Sequence, residues 1–400
     1  MPTYEEARSV ILESVAPVGT ERVETGRALG RTLAEDVSAP WPLPFCDNSA
    51  MDGYAVRADD CRGPARLKVT GYVPAGGTAS AGVAPGCAVK IMTGAPIPAG
   101  GDAVIPFEET EEADDHIFVK GKVTVRQHIR FRAEDVREGD VVLQGGTPLR
   151  PAEISMLASL GKAFLPVYRK VRVAVLSTGD ELIELGEPPS PGMIINSNSL
   201  AVAAAVGETG AEPVLLGIAR DDRDRHAEKI SEGLKADALV TTAGVSAGDR
   251  DLVREVMAEL GVMSRFWRVD IKPGGPTAFG MKDGKPVFSL PGNPVSALIT
   301  FEAFVRPALL RMMGRKRVVR PLVKAILTGE MRKKPGKVHF LRVGIEVRGG
   351  GYFATSAGDQ NTGILRTMVL ADALAVLPAD KTYFAAGETV DVFLLGEPLR

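Results

Sequence analysis

Residues 238–251 read Ala-Leu-Val-Thr-Thr-Ala-Gly-Val-Ser-Ala-Gly-Asp-Arg-Asp. An apolar, β-branched run ends in a loop with glycines at 244 and 248 and acids at 249 and 251. The pattern recurs on both sides of it. Residues 171–177 lead into Thr178-Gly179-Asp180-Glu181-Leu182, and residues 214–219 into Arg220-Asp221-Asp222. Residues 286–290 lead into Pro291-Gly292-Asn293-Pro294-Val295-Ser296. Helical patterns follow over 198–208, 223–235, 251–260 and 294–313. Strands alternating with helices predict an α/β, doubly wound parallel sheet. In such a sheet these loops gather at the carboxyl ends of the strands, where ligands bind.

The loops dictate the chemistry. Gly244, Ser246 and Gly248 let backbone N–H groups approach an anion, and a helix N-terminus follows. Yet Glu181, Asp221, Asp249 and Asp251 would repel a phosphate. A hard cation such as Mg²⁺ between carboxylates and phosphate oxygens resolves the conflict. One Asp alone reads as a helix cap; four acids at adjacent strand ends read as a metal site. The basic complement is Arg268 and Lys272, expected on one face of a strand over 266–271 that pairs with residues 277–281 around Lys272-Pro273-Gly274-Gly275. A surface ion pair is the plainer reading of each.

The flanks differ. A helix over residues 3–16 has Thr3 as its N-cap. Ala39-Pro40-Trp41-Pro42-Leu43-Pro44 reads as a linker. Residues 46–140 carry short alternating runs and read as a mainly β insertion, with residues 108–115 an acidic solvated loop. Residues 152–160 are helical and rejoin the N-terminal segment. Residues 320–400 return to β patterning and close a small barrel. The expected parts are therefore a discontinuous linker domain (1–45 and 141–170), an inserted β domain (46–140), the doubly wound domain (171–316) and a C-terminal β-barrel (317–400).

Composition narrows the class. The chain has 400 residues, 24% charged, with a formal net charge of −2, so nothing favours nucleic acid. Three cysteines without CxxC spacing and four histidines without an HExxH pair argue against disulfides and zinc. Cys46 is expected to be a small buried hydrophobe. GxxxxGK[ST], GxGxxG and GxSxG are all missing. The N-terminus has no signal-peptide pattern and no stretch is long enough to span a bilayer, so a cytoplasmic protein without membrane contact is expected.

Six motifs occur in order. They are Asn48-Ser-Ala-Met-Asp-Gly-Tyr-Ala55, Ile91-Met-Thr-Gly-Ala-Pro96, Ser177-Thr-Gly-Asp-Glu-Leu182, Gly244-Val-Ser-Ala-Gly-Asp-Arg-Asp251, Ile271-Lys-Pro-Gly274 and Leu290-Pro-Gly-Asn-Pro-Val-Ser296. Together they resemble the molybdopterin molybdenumtransferase (MoeA) family, which includes the E domain of gephyrin. The resemblance spans nearly the whole chain. It implies a homodimer with its active site at the subunit interface. The implied reaction inserts molybdate into adenylylated molybdopterin, releases AMP and uses Mg²⁺. By that resemblance Asp52, Thr93 and Asp135 reach across the dimer, and Glu181, Asp221 and Asp251 are the acidic site positions. Lys272, Ser296, Arg342 and Thr362 bind the oxyanion, and Pro291 and Pro294 shape the loop. Two stretches depart from the pattern. Gly275 replaces the second Lys of Lys-Pro-Gly-Lys-Pro, with Arg268 a candidate to compensate. Gly358-Asp359-Gln360-Asn361-Thr362 replaces Gly-His-Gln-Gly-Ser. Both leave molybdate against tungstate open. The competing readings are a molybdopterin adenylyltransferase, which would otherwise be a hand-over partner, and a non-enzymatic gephyrin-like scaffold.

Overall fold

The computed structural model describes residues 1–78, 82–244 and 252–396. The chain forms two compact units: Met1–Glu35 with Gly146–Ile154 and Ala163–Arg400, and Asp36–Gly145 with Ser155–Lys162.

In the first unit a six-stranded sheet has the order Glu212–Ala219, Arg172–Thr178, Ala238–Thr242, Lys285–Leu290, Ala278–Lys282, Met263–Phe266. The first four strands are parallel and the last two antiparallel. Arg172–Thr178 and Ala238–Thr242 are buried almost throughout, as expected of parallel strands covered on both faces. The helices Ser197–Glu208 and Arg223–Gly233 are N-capped by the side chains of Asn196 and Asp222. The predicted helix over 294–313 is Pro294–Thr300, a π-turn at Phe301–Val305, then Arg306–Met312.

One expectation fails. Residues 266–271 are not a single strand. Met263–Phe266 pairs with Ala278–Lys282, matching Phe266 to Phe279. The chain then leaves the sheet, and Ile271–Lys272 pairs in parallel with Val338 and His339. Val269 and Ile271 are buried in a core shared with Phe304 and Phe340. That burial outweighs continued pairing at the sheet edge.

The last strands close on themselves. Val338–Arg348 pairs with both Gly351–Ser356 and Ala373–Leu377, and Val323–Leu327 and Thr389–Leu394 complete a five-stranded barrel. The N-terminal helix Tyr4–Ser14 has Thr3 as N-cap with a full capping box. It inserts Tyr4 between Phe304 and Phe340, with ring centroids 5.8 and 5.1 Å away. Thr20–Glu24 pairs antiparallel with Phe164–Tyr168, so the chain after the insertion does return to the N-terminal segment.

The second unit is built on a six-stranded, mainly antiparallel sheet: Ala103–Pro106, Gly53–Val56, Cys87–Ile91, Ala65–Val73, His116–Val119, Thr110–Ala113. Gly53 is required there, because a Cβ would lie 1.9 Å from the Ile105 carbonyl oxygen. Two expectations change. The acidic stretch is no loop: Thr110–Ala113 is an edge strand paired with His116–Val119. Lys120, Lys90 and Lys68 face Glu111, Glu112 and Asp115 at 3.3, 3.6 and 3.7 Å, which removes the like-charge penalty of an acidic strand. Cys46 is exposed, not buried; it follows the Pro-rich linker in a bend whose neighbour Phe45 is also exposed. Among the described residues no helix is long and apolar enough to cross a membrane.

Candidate active site

Arg172–Thr178 has the second parallel strand on one side and the third on the other. The loops after the first and third strands therefore diverge, which opens a crevice at the switch point. A cavity of about 440 Å³ lies there, lined by Glu181, Asn196, Asn198, Gly244, Pro291 and Asn293 among others. Glu181 is its only ionisable lining residue among those described. The floor is a buried polar net: Ser177 Oγ lies 2.8 Å from both Asn196 Oδ1 and Thr242 Oγ1. Asn198 Nδ2 donates to the Gly292 carbonyl at 2.6 Å. Among the described residues Asn196 Nδ2 and Asn198 Oδ1 are buried without a partner, so a donor and an acceptor are left for whatever fills the cavity.

The backbone is shaped to that end. Ala243 holds a left-handed φ of 70° without being glycine, a strain of the kind found at functional sites. Gly244 has φ +72°, and a Cβ there would lie 2.3 Å from Val253 Cγ2. Glu181 and Asp221 are both exposed, on loops tied together. Arg220 donates to the carbonyls of Asp180 (2.8 Å) and Leu182 (2.7 Å), and the Asp221 N–H donates to Asp180 Oδ1 (3.0 Å). His226, almost wholly buried, lies 3.9 Å from Asp221 Oδ1. Among the described residues no three His, Cys, Asp or Glu side chains cluster as a metal centre. Asp249 and Asp251 lie outside the described residues.

Lys272, Arg342 and Thr362 line a second cleft, of about 810 Å³, with Lys333 and His339. Arg342 is fully buried. Its Nη2 donates to the carbonyls of Asp359 (3.1 Å) and Asn361 (3.2 Å), and among the described residues its Nε has no partner and no carboxylate pairs with it. Burial draws its pKa down, and Asp359 opposes the shift. Gln360 bonds both ways to the Arg342 backbone, at 3.0 and 3.1 Å. The altered 358–362 loop is thus held by Arg342. The cleft's one acid, Glu330, is taken up by Arg332 (3.3 Å) and Tyr383 (3.2 Å). His339 is buried, and its pKa is pushed down to about 4, by burial first and then by Lys333, Lys272 and Lys337. Asn293 Nδ2 donates to Thr362 Oγ1 at 3.1 Å, so the rims of the two cavities touch.

Pro294 lines the first cavity and starts the helix in whose first turn Ser296 is buried. The remaining expected residues fall elsewhere. Arg268 is exposed and lines neither cavity. In the second unit Asp52 Oδ1 accepts from the Thr93 N–H (2.6 Å) and hydroxyl (2.7 Å), and these two bonds lower its pKa. Asp135 borders a hollow of about 490 Å³ with Leu43, Pro44, Arg130 and Glu134. Sequence reasoning missed Asn196, Asn198 and His339. Only the Asn-Ser-Asn ahead of a helix gave a signal, and as a cap.

Comparison with known proteins agrees with this architecture. Residues 2–161 match the MoeA N-terminal region (domain I and II), 174–311 a probable molybdopterin binding domain, and 324–395 the MoeA C-terminal region (domain IV). The chain is 38% identical to the molybdopterin molybdenumtransferase of Haemophilus influenzae, covering 98% of each chain. It is 37% identical to molybdopterin molybdenumtransferase 2 of Mycobacterium tuberculosis, covering 98% of this chain and 99% of the other. The crystal structure of a molybdopterin biosynthesis MoeA protein from Pyrococcus horikoshii superposes with a TM-score of 0.85 at 33% identity, covering 98% and 100%. The chain belongs to the MoeA family, the molybdopterin molybdenumtransferases of molybdenum cofactor biosynthesis.

Proposed function

We propose that this transferase inserts molybdate into adenylylated molybdopterin and releases AMP. The observation that carries the reading is a pair of cavities of opposite character meeting at one hydrogen bond. The switch-point cavity has amide edges, apolar walls and a carboxylate, which suits a planar heterocycle and its tail. The barrel cleft has Lys272 and a buried Arg342 without a carboxylate partner, which suits an oxyanion. A substrate in the first cavity and molybdate in the second would meet beside Asn293 and Thr362.

The chain's share of the chemistry is positioning and charge neutralisation, with no protein nucleophile. Asn196 and Asn198 would orient the heterocycle; Lys272 and Arg342 would fix the oxyanion. Exposed hard-oxygen donors without a Lys or Arg partner suit Mg²⁺, which needs one or two carboxylates plus substrate phosphates. Among the described residues Glu181 and Asp221 meet that description, and Asp249 and Asp251 are the further ligands we propose. When bound, the ion would neutralise the phosphoanhydride oxygens. We also propose a cytoplasmic homodimer with the four-part division given above. Asp52, Thr93 and Asp135 of one subunit would complete the site of the other. A molybdopterin adenylyltransferase is the proposed hand-over partner.

Paired variants test the two-cavity reading. Asn196→Leu should raise the requirement for adenylylated molybdopterin and leave the molybdate requirement alone. Lys272→Gln should do the reverse. If both raised the same requirement, the assignment of one ligand to each cavity would be wrong.

A further inference from the structure

We propose that Lys337, which neither the resemblance nor the motif pattern singles out, is an oxyanion-binding residue of the barrel cleft. The inference rests on the oxyanion reading of that cleft and adds a member to it. Lys337 precedes the strand Val338–Arg348, whose first two residues pair with Ile271 and Lys272. That register sets Lys337 opposite Asp270, whose carbonyl accepts from the Val338 N–H, and the turn that follows Lys272 folds back toward it. Its Nζ lies 3.8 Å from where a Cβ on Gly275 would stand. Gly275 leaves the space open, and the ammonium of another strand comes to it.

The surroundings show what this ammonium is for. Lys337 is half-buried, and among the described residues its Nζ has neither an ion pair nor a hydrogen bond. Lys272 is likewise unpaired, and Arg342 has only carbonyl partners. Lys333 is held by the carbonyls of Lys334, Lys337 and Ala379. Lys272, Lys333 and Lys337 all lie close enough to depress the His339 pKa. The nearby acids form no ion pair with these cations among the described residues: Glu330 is engaged by Arg332 and Tyr383, Asp380 acts on Lys333, Asp359 acts on Arg342, and Asp270 stands opposite Lys337. Cations without a direct ion-pair partner repel one another until an anion enters. A tetrahedral dianion such as molybdate supplies two charges and four acceptor oxygens. Neither Lys337 nor Arg268 is in the lining of the cleft, but Lys337 borders it, half-buried and next in chain to the strand that carries His339 and Arg342, whereas Arg268 is exposed.

The test measures molybdate binding by titration calorimetry to the full-length wild type, Lys337→Gln, Lys337→Arg and the double variant Gly275→Lys/Lys337→Gln. Lys120→Gln, in the other unit, controls for general loss of charge. His339 is followed by NMR titration in each. We expect Lys337→Gln to weaken binding roughly two- to fivefold and to raise the His339 pKa. Lys337→Arg should keep most of the affinity, and the double variant should regain it from the neighbouring backbone position. Molybdate binding to Lys337→Gln as tight as to the wild type and to Lys120→Gln would overturn the proposal, as would a double variant that gains nothing while both proteins stay folded. A wild type that binds neither molybdate nor tungstate would instead sink the oxyanion reading of the cleft, and Lys337 with it.

Discussion

Replacing Arg342 by methionine separates a structural strut from a ligand-binding charge. The side chain is fully buried without a carboxylate, and its Nη2 serves two carbonyls. Removing it orphans the Asp359 and Asn361 oxygens, at about 1 kcal/mol each where the cleft can hydrate them. Against this, an uncompensated buried guanidinium costs several kcal/mol of desolvation, which methionine of similar length escapes. Net stability should therefore change by no more than about 2 kcal/mol, in either direction. Function should respond differently. At an effective dielectric of about 20, a charge at ~4 Å is worth ~4 kcal/mol before the oxyanion's own desolvation. If half survives, Arg342→Met should weaken molybdate by about thirtyfold. The assays are urea denaturation, with and without molybdate, and AMP release against molybdate concentration. Ligand should stabilise the wild type and not the variant. A variant destabilised by far more than this with unchanged molybdate affinity would show that Arg342 only holds the 358–362 loop.

Three further outcomes follow from the same geometry. Folded His339 titrates near 4 against about 6.5 unfolded, chiefly through burial. Stability present above pH 6.5 should thus be lost as pH falls from about 6.5 to 4, by up to about 3 kcal/mol, and His339→Gln should flatten that slope in denaturant melts. Gly274→Ala puts a Cβ 2.2 Å from Thr300 Cγ2 at φ +97°; it should cost more than about 2 kcal/mol from contact and left-handed strain together. Thr300→Ser should relieve the contact share and leave the strain, and no relief would place the cost elsewhere. Mixing inactive Asp52→Ala with inactive Glu181→Ala should restore part of the activity through heterodimers; no recovery after proven subunit exchange would place the whole site within one chain.

The doubly wound sheet was legible because buried parallel strands are written as near-continuous apolar runs, and Val173, Val175, Leu239 and Val240 say so without help from context. The loops that end those runs were legible from their glycines: Gly244 sits where a Cβ would collide with Val253, and Gly179 holds a φ of 140° that side chains rarely adopt. What failed was decided by distant partners. Phe266 and Ile271 are equally apolar, yet one pairs with Phe279 and the other with Val338, and no local spacing tells them apart. The Glu108–Asp115 run looked too acidic for a strand because its three lysine partners come from elsewhere in the chain. Cys46 looked apolar enough to bury, but nothing in its bend covers it. The second cavity was read only from the family resemblance, and residue patterning alone gave no sign of it. Lys272 is far in sequence from His339 and Arg342, and they meet because Val338–Arg348 pairs with the Ile271–Lys272 strand.

The most direct measurement is AMP release from adenylylated molybdopterin by the full chain with Mg²⁺, in parallel reactions with molybdate, with tungstate and with neither. The two-cavity account predicts AMP release that depends on the oxyanion and is lost in Lys272→Gln. AMP release indifferent to oxyanion, or none from adenylylated molybdopterin alongside ATP-dependent adenylylation of metal-free molybdopterin, would contradict it.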